Sequence, residues 1–439
     1  MPFKKTIQNA KKSDFLKSVS VLMTGTILAQ LIGYLLAPVI TRYFSPSEMG
    51  EFGLFQRIVV LITTIATARY ELAIPLPKKH SDSFLIFRLS IRIALITITI
   101  SFAFLSFYYL SNNFELERLI WIICICTTSF ALLFFNLGTN WSIRHQHFKK
   151  LTYSKITNSF VLNGSRVILG FFHTGKWGLI ISFVISSIAA SFYFIPDYLS
   201  QSKEKLSAVS RKKTAVLAQI YKDFPLANLP HALSDSMRDL IIAVLLSTIF
   251  SEQLFGSFDH SYRMLRLPVM LIGVSMGQVF FNRISAYKNQ YKPLFPLVKR
   301  MLINLILLSF VPFGIIFFWG EELFAFVFGE SWRFSGRLSE IMTPWLALNF
   351  ITSPLSTLPL VLNRQRSFFV LGITLSVFQL VGFWYLPKIY GTDEAGIETV
   401  FEYVTWSQVG LSSIIALYLL WIAKKSDISN PMNDIFKSK

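Results

Sequence analysis

Six arginines and three carboxylates fall inside stretches of this sequence that are otherwise apolar: Arg57, Arg69, Arg166, Arg238, Arg263 and Arg266, with Glu71, Asp235 and Asp239. A charge deep in a membrane helix costs about 2.5–3.5 kcal/mol on insertion scales, so each one that persists asks for a partner or a water-filled cavity. Guanidinium groups stay charged and offer a planar donor fork that holds two phosphate oxygens at once. A cationic surplus facing a cavity therefore predicts an anionic, phosphate-bearing ligand. Asp235, Asp239 and Glu71 are the candidates for carrying a proton or a sodium ion. Structural readings stand beside these. Arg69 and Glu71 fit a simple ion pair, and Asp235, Arg238 and Asp239, spaced i, i+3, i+4, can neutralise one another on one helix face. Arg57, five residues into its apolar stretch, and Arg263, at the start of its own, are within snorkelling reach of the surface. Arg166, about ten residues into its own at 1.5 Å per residue, with Asn163 one turn away, and Arg238 lie nearer a midplane.

The elements that would carry these charges are membrane spans. The chain has 439 residues, of which 53% are hydrophobic and only 15% charged, with a mean hydropathy of +0.52. Soluble domains carry charge on nearer a quarter of their residues. Apolar runs long enough to cross a bilayer recur at 18–44, 52–76, 84–111, 115–139, 156–172, 178–199, 225–250, 262–283, 301–320, 338–362, 367–386 and 402–423. Twelve spans of about 20 residues leave short loops and no sizeable soluble domain. Cys124 and Cys126 share one apolar run, where they read as small hydrophobes with no disulfide framework. The basic leader is followed by about 26 apolar residues from Ser18, too long for a cleaved signal, and reads as an uncleaved first span.

The net charge of +18 is a topology signal. Of the 42 lysines and arginines, 30 fall in the N-terminus, in alternate loops and in the C-terminal tail; the opposite loops hold only Arg42, Arg118, Lys176, Arg333, Arg337 and Lys388. That asymmetry is the positive-inside rule and predicts both termini in the cytoplasm. Nucleic acid is not needed to explain it.

The chain also repeats itself. "YFSPSEMGEFGLFQR" at 43–57 returns as "IFSEQLFGSFDHSYR" at 249–263, with Phe44/Phe250, Ser45/Ser251, Gly50/Gly256, Phe52/Phe258 and Arg57/Arg263 in register. Six spans precede and six follow the hydrophilic stretch at 199–223, so both halves share one orientation, as in a parallel repeat. The predicted domains are an N-terminal lobe (1–198), a basic cytoplasmic linker (199–223), a C-terminal lobe (224–424) and a tail (425–439). Ser45, Pro46 and Glu48 form a capping box for a short interfacial turn that Gly50 would end; Ser251 keeps only half of that box. "GEELFAFVFGESWRFSG", between spans nine and ten, reads as an interfacial re-entrant or amphipathic turn.

No GxxxxGK[ST], HExxH or CxxC occurs, which argues against ATP hydrolysis and against a zinc protease or redox site. The six histidines make no metal cluster beyond His145-x-His147, which reads as a feature of an interfacial loop. The chain is expected to be no enzyme, to need no cofactor, and to draw on an H+ or Na+ gradient, the membrane potential or substrate supply.

Four segments resemble the Wzx-type oligosaccharide and polysaccharide flippases, the polysaccharide transporters of the MOP superfamily: "GTILAQLIGYLLAPVITRYFSPSEMGEFGLFQ", "ARYELAIPLPKKHSD", "NWSIRHQHFKKLTYSKI" and "LPVMLIGVSMGQVFFNRIS". The resemblance implies an all-α, MOP/MATE-like polytopic membrane protein of about twelve helices in two six-helix lobes. It implies a monomer in the bacterial cytoplasmic (inner) membrane that moves undecaprenyl-pyrophosphate-linked repeat units outward by alternating access, for O-antigen of lipopolysaccharide, capsule or exopolysaccharide. It makes Arg57 and Arg263 candidates for pyrophosphate contact, with Arg166, Arg238 and Arg266 lining the cavity. Lipid-linked oligosaccharide and membrane lipids would be partners, as would a polysaccharide polymerase and a chain-length regulator. The alternative within the superfamily is a cation-coupled multidrug exporter, whose cationic substrates would favour an acidic cavity.

Overall fold

The computed structural model describes residues 2–110, 115–199 and 211–428; the middle of the expected linker, 200–210, and the expected tail beyond 428 lie outside the described residues. Those described are overwhelmingly helical, with no strand among them. The helices of ten or more residues are α1 (Pro2–Tyr43), α2 (Pro46–Ala66), α3 (His80–Leu110), α4 (Leu116–His145), α5 (Phe148–Phe171), α6 (Lys176–Phe192), α7 (Arg211–Ile220), α8 (Leu229–Ile249), α9 (Glu252–Leu265), α10 (Val274–Asn289), α11 (Phe295–Phe328), α12 (Arg333–Thr352), α13 (Gln365–Tyr385) and α14 (Glu394–Ile428).

Among the described residues, seven helical stretches are long and apolar enough to cross a membrane: those of α1, α2, α3, α4, α11, α13 and α14. Their surfaces are greasy where a soluble protein's would be polar. Phe107, Phe310 and Phe326 are 76%, 78% and 82% exposed. Such a surface has no favourable home in water, whereas acyl chains match it. The chain is a multi-pass membrane protein. Helices α5, α8 and α12 are less apolar because they carry Arg166 and Lys155, the Asp235–Arg238–Asp239 group, and Arg333, Arg337 and Glu340 respectively, whereas α9, at 14 residues, is too short to cross a bilayer alone.

Local signals set several boundaries. The capping box at α2 is formed: Ser45 N–H donates to the Glu48 carboxylate at 2.7 Å, and Glu48 N–H donates to Ser45 Oγ at 3.3 Å. At α9, Leu254 N–H donates to Ser251 Oγ at 3.0 Å, and the reciprocal half is missing as expected. The expectation that Gly50 ends a short turn is not met; α2 runs straight through it. Span two, expected to reach residue 76, leaves its helix at Ala66. Ala68 and Arg69 adopt left-handed φ of 50° and 64°, and Tyr70–Ala73 form a single 3-10 turn. Span eight, expected as one helix over 262–283, is two. Pro268 removes a backbone donor, and α9 stops at Leu265, with a π turn at Val269–Gly273 before α10. The acidic, aromatic segment expected as a re-entrant turn instead extends α11 past a kink at Trp319, where φ is −137°. Two of its acids are paired, Glu330 and Glu321 with Arg333 at 2.5 and 3.5 Å, and just beyond it Arg337 pairs with Glu398 at 2.9 Å and Glu340 at 3.2 Å.

The chain forms two compact units, Met1–Phe44 with Glu51–Ala243, and Ser45–Gly50 with Val244–Lys439. In the first unit α5 turns a polar face to α1: Lys155 Nζ donates to Thr26 Oγ1 at 3.1 Å, Thr152 Oγ1 to the Val21 carbonyl at 3.4 Å, and Ser159 Oγ to the Ala29 carbonyl. At one end of this unit Phe84, Phe87, Trp141 and Tyr198 pack ring against ring. Helix α7, cut from the expected linker, docks on that end through Leu217 and a 2.5 Å Lys213–Asp82 ion pair. In the second unit Asp427 of α14 caps α11, accepting from Leu294 and Phe295 N–H at 2.6 and 2.8 Å.

The first turn of α2 belongs to the second unit because it lies directly on the first turn of α9. A Cβ on Gly50 would stand 2.0 Å from the Glu252 carbonyl oxygen, and one on Gly256 1.7 Å from that of Pro46. No side chain fits there, so these two glycines are required by close backbone approach. The two halves of the sequence echo touch at their equivalent positions.

Candidate functional site

The charged residues fall into separate groups within each unit. On α9 of the second unit, the Arg263 guanidinium donates to Asp259 Oδ2 at 2.7 Å, and Asp259 is 8% exposed. One turn further, at the C-cap of the helix, Arg266 is exposed and lies over the Tyr262 ring, 5.2 Å from its centroid. Arg263 and Arg266 thus stay neighbours although the helix breaks beneath them. His260, between Asp259 and Arg263 in sequence, points elsewhere and is packed on Trp332 and Phe328 at 4.5 and 4.6 Å between ring centroids.

In the first unit Arg57 sits on α2 and donates to the Gly53 carbonyl at 3.2 Å. Position 53 is the counterpart of 259 in the echo, so one copy offers its arginine a carbonyl and the other a carboxylate. Arg166 is drawn inward, to 8% exposure, with its guanidinium over the Phe52 ring at 4.9 Å. It continues the polar face of α5 made by Thr152, Lys155, Ser159 and Asn163, all one helical turn apart. Asn163 donates to the Ser159 carbonyl at 2.8 Å.

On α8 the expected self-neutralising cluster is formed: Arg238 reaches Asp239 at 2.9 Å and Asp235 at 3.7 Å. Both carboxylates keep more than half of their side chains exposed. Thr64 of α2 and Ser236 of α8 share a hydrogen bond at 3.2 Å. Glu71 is buried, at 4% exposure, accepts from Thr67 Oγ1 and lies 3.5 Å from Arg69, which also donates to Asn228 at 3.1 Å. The structural ion pair expected for Arg69 and Glu71 is therefore present, in a turn and not inside a helix.

Three participants were not picked out from the sequence. Asp259 lay outside the assigned span eight, yet its i, i+4 spacing to Arg263 after the Ser251 cap would have found it. His80 meets His145 at 3.1 Å, with His147 beside it, but no group of three ligands suited to a metal occurs among the described residues. Arg144, in the "NWSIRHQHFKK" segment, donates to the carbonyls of Pro75 and Pro77 at 3.1 and 2.6 Å. It thereby clasps the "RYELAIPLP" segment, so two of the recognisable motifs are one structural lock.

The second unit also holds a cavity of about 540 Å³ beside the α9–α10 break. Its lining includes the amides Gln278 and Asn282, the hydroxyls Ser353 and Thr357, and the Phe281 ring.

Residues 39–335 match the family described as Polysaccharide biosynthesis protein. No curated protein matches the sequence. Among solved structures, the chain is similar to an inward-facing multidrug resistance MATE family transporter of the MOP superfamily, at 13% identity and TM-score 0.68, covering 92% of this chain and 99% of that one. It is equally similar to the lipid II flippase MurJ in an inward closed conformation, at 16% identity and TM-score 0.68, over 95% and 91%. A MOP superfamily transporter from Pyrococcus furiosus follows at 13% identity and TM-score 0.58, over 93% and 96%. At such identities the likeness speaks for the fold. Helical membrane architecture, MOP-type fold and a match across both copies of the connector converge: the chain belongs to the polysaccharide biosynthesis protein family.

Proposed function

We propose that this protein is a flippase that carries lipid-linked oligosaccharide repeat units, joined through pyrophosphate to an undecaprenyl-type lipid, across the bacterial cytoplasmic membrane. The observation that carries the reading is the family match over 39–335, which encloses the arginine helices α2, α5, α8 and α9. The proposed arrangement has about twelve spans in two lobes that alternate in access, with both termini cytoplasmic, working as a monomer without catalytic chemistry. The positive-inside asymmetry supports that orientation.

The site chemistry supports an anionic headgroup followed by sugars. Arg57 and Arg266 supply positive charge for the pyrophosphate, with Arg263 already sharing its guanidinium with Asp259. Arg166 and Arg238 contribute field from more restrained positions, since one is tucked over Phe52 and the other is paired with two carboxylates. Amides, hydroxyls and an aromatic ring in the 540 Å³ cavity are groups suited to a neutral polyhydroxylated ligand. Asp235 and Asp239, exposed and close to Arg238, are the proposed carriers of a coupling H+ or Na+. Glu71, buried and already held by Thr67 and Arg69, is the weaker carrier of the three.

The decisive experiment deletes the gene and assays the leaflet distribution of lipid-linked oligosaccharide. Accumulation on the inner leaflet, with loss of surface O-antigen, capsule or exopolysaccharide restored by the intact gene, is the expected result. Normal glycan with lost resistance to cationic drugs would instead establish the exporter reading.

A further inference from the structure

Beyond the transport site, the second unit contains a groove that the proposed function does not use. One face of α10, formed by Met276, Val279, Phe280 and Arg283, stands opposite one face of α11, formed by Leu297, Arg300, Met301 and Asn304. Each set is spaced i, i+3, i+4, i+7, so each is a single helix face. The faces do not close on each other; they leave a cavity of about 420 Å³. The cavity lined by Gln278 and Asn282 opens on the other side of α10, so the two spaces are distinct.

The groove has an amphiphile's chemistry. Arg283 lies six residues before the end of α10 and Arg300 five residues after the start of α11, so at 1.5 Å per residue they sit at nearly equal depth, roughly 8–9 Å below the loop. Both side chains are exposed, and neither makes an ion pair or hydrogen bond among the described residues. Away from the loop on α10, the wall becomes wholly apolar, with Phe280, Val279 and Met276. Two guanidiniums above a greasy slot match a phosphate ester carrying acyl chains: the forks take the phosphate oxygens and the slot takes a chain. A soluble anion would leave that slot unfilled.

We propose that this groove is a binding site for an anionic phospholipid of the surrounding bilayer, held by Arg283 and Arg300. The occupant is a resident lipid of the leaflet at the basic end of the chain, and the site is independent of the transported substrate.

The test is native mass spectrometry of the purified protein in detergent with phosphatidylglycerol or phosphatidylcholine added. Wild-type protein is expected to retain phosphatidylglycerol about tenfold better than phosphatidylcholine, the scale of one or two charge-assisted bonds. Arg283→Gln/Arg300→Gln should erase that preference, whereas Lys299→Gln/Arg364→Gln, which removes two exposed charges off the groove, should keep it. Arg283→Lys/Arg300→Lys should retain part of it, because charge survives and the fork does not; this variant also serves if the glutamine pair elutes aggregated. Equal retention of both lipids by the wild type, or an undiminished preference in the glutamine variant, would overturn the proposal. So would displacement of phosphatidylglycerol by millimolar inorganic pyrophosphate, which would mark a site for soluble anions.

Discussion

The two copies of the connector use the same helix start for different electrostatics. Each begins at a serine cap, passes a glycine at the backbone crossing, and presents an arginine one turn beyond position 53 or 259. In the first copy position 53 is glycine, and Arg57 finds a carbonyl; in the second it is Asp259, and Arg263 is held at 2.7 Å by a carboxylate. A repeated scaffold has thus kept its geometry and altered its charge. The first copy sets its arginine on a backbone carbonyl, the second on a buried carboxylate, with Arg266 one turn further along. Duplicated position does not imply duplicated role.

Substitutions can break or sharpen this contrast. The largest effect is expected at the shared geometry: Gly256→Leu or Gly50→Leu forces a side chain into carbonyl contact, and either should abolish folded protein in the membrane fraction, read by gel filtration of detergent extracts. If one is tolerated, the crossing is not shared equally. Next comes Arg57→Ala, expected to abolish surface glycan with membrane levels unchanged; normal export would remove Arg57 from the proposed pyrophosphate contacts. Arg263→Ala should act differently, because it removes a cation 2.7 Å from the buried Asp259 carboxylate. A stability loss of about 1–3 kcal/mol is expected in thermal unfolding, recovered largely by Arg263→Ala/Asp259→Asn. If Arg263→Ala melts like the wild type, the pair does not hold the helix. The smallest effects lie at the caps. Ser45→Ala should cost about 1 kcal/mol, somewhat more than Ser251→Ala, since only the former also removes a hydroxyl that donates to the Glu48 carboxylate at 3.0 Å. Equal shifts in melting temperature would show that the half-box serves as well as the whole.

Some of this was legible in the residues because its physics is local. Hydropathy over twenty residues reported the membrane helices, and the Ser-Pro-Ser-Glu string reported the start of α2. The i, i+3, i+4 spacing reported the Asp235–Arg238–Asp239 cluster. The errors were also local. Assigning span eight by hydropathy alone set its start at 262, ten residues after the helix begins, and so left Asp259 out of the charge count. The polar residues that α9 buries in its first turns lower its hydropathy without ending the helix. The same reliance on hydropathy carried span two to residue 76, although "TARYELAIPLP" turns away after Ala66; apolar character persisted there because the turn is buried against α3, not because it is helical.

By itself the sequence determined a helical, multi-pass membrane chain with an internal echo, because hydrophobic run length and short-range capping depend only on neighbours along the chain. Only the tertiary structure decided which polar groups meet across separate elements and where backbones touch. The clasp of Arg144 on the Pro75 and Pro77 carbonyls, the glycine crossing and the paired arginines of the α10–α11 groove join residues far apart in sequence or on separate helices. Electrostatic partnership and close packing fall off over a few ångströms of space, and no spacing rule along the chain encodes that distance.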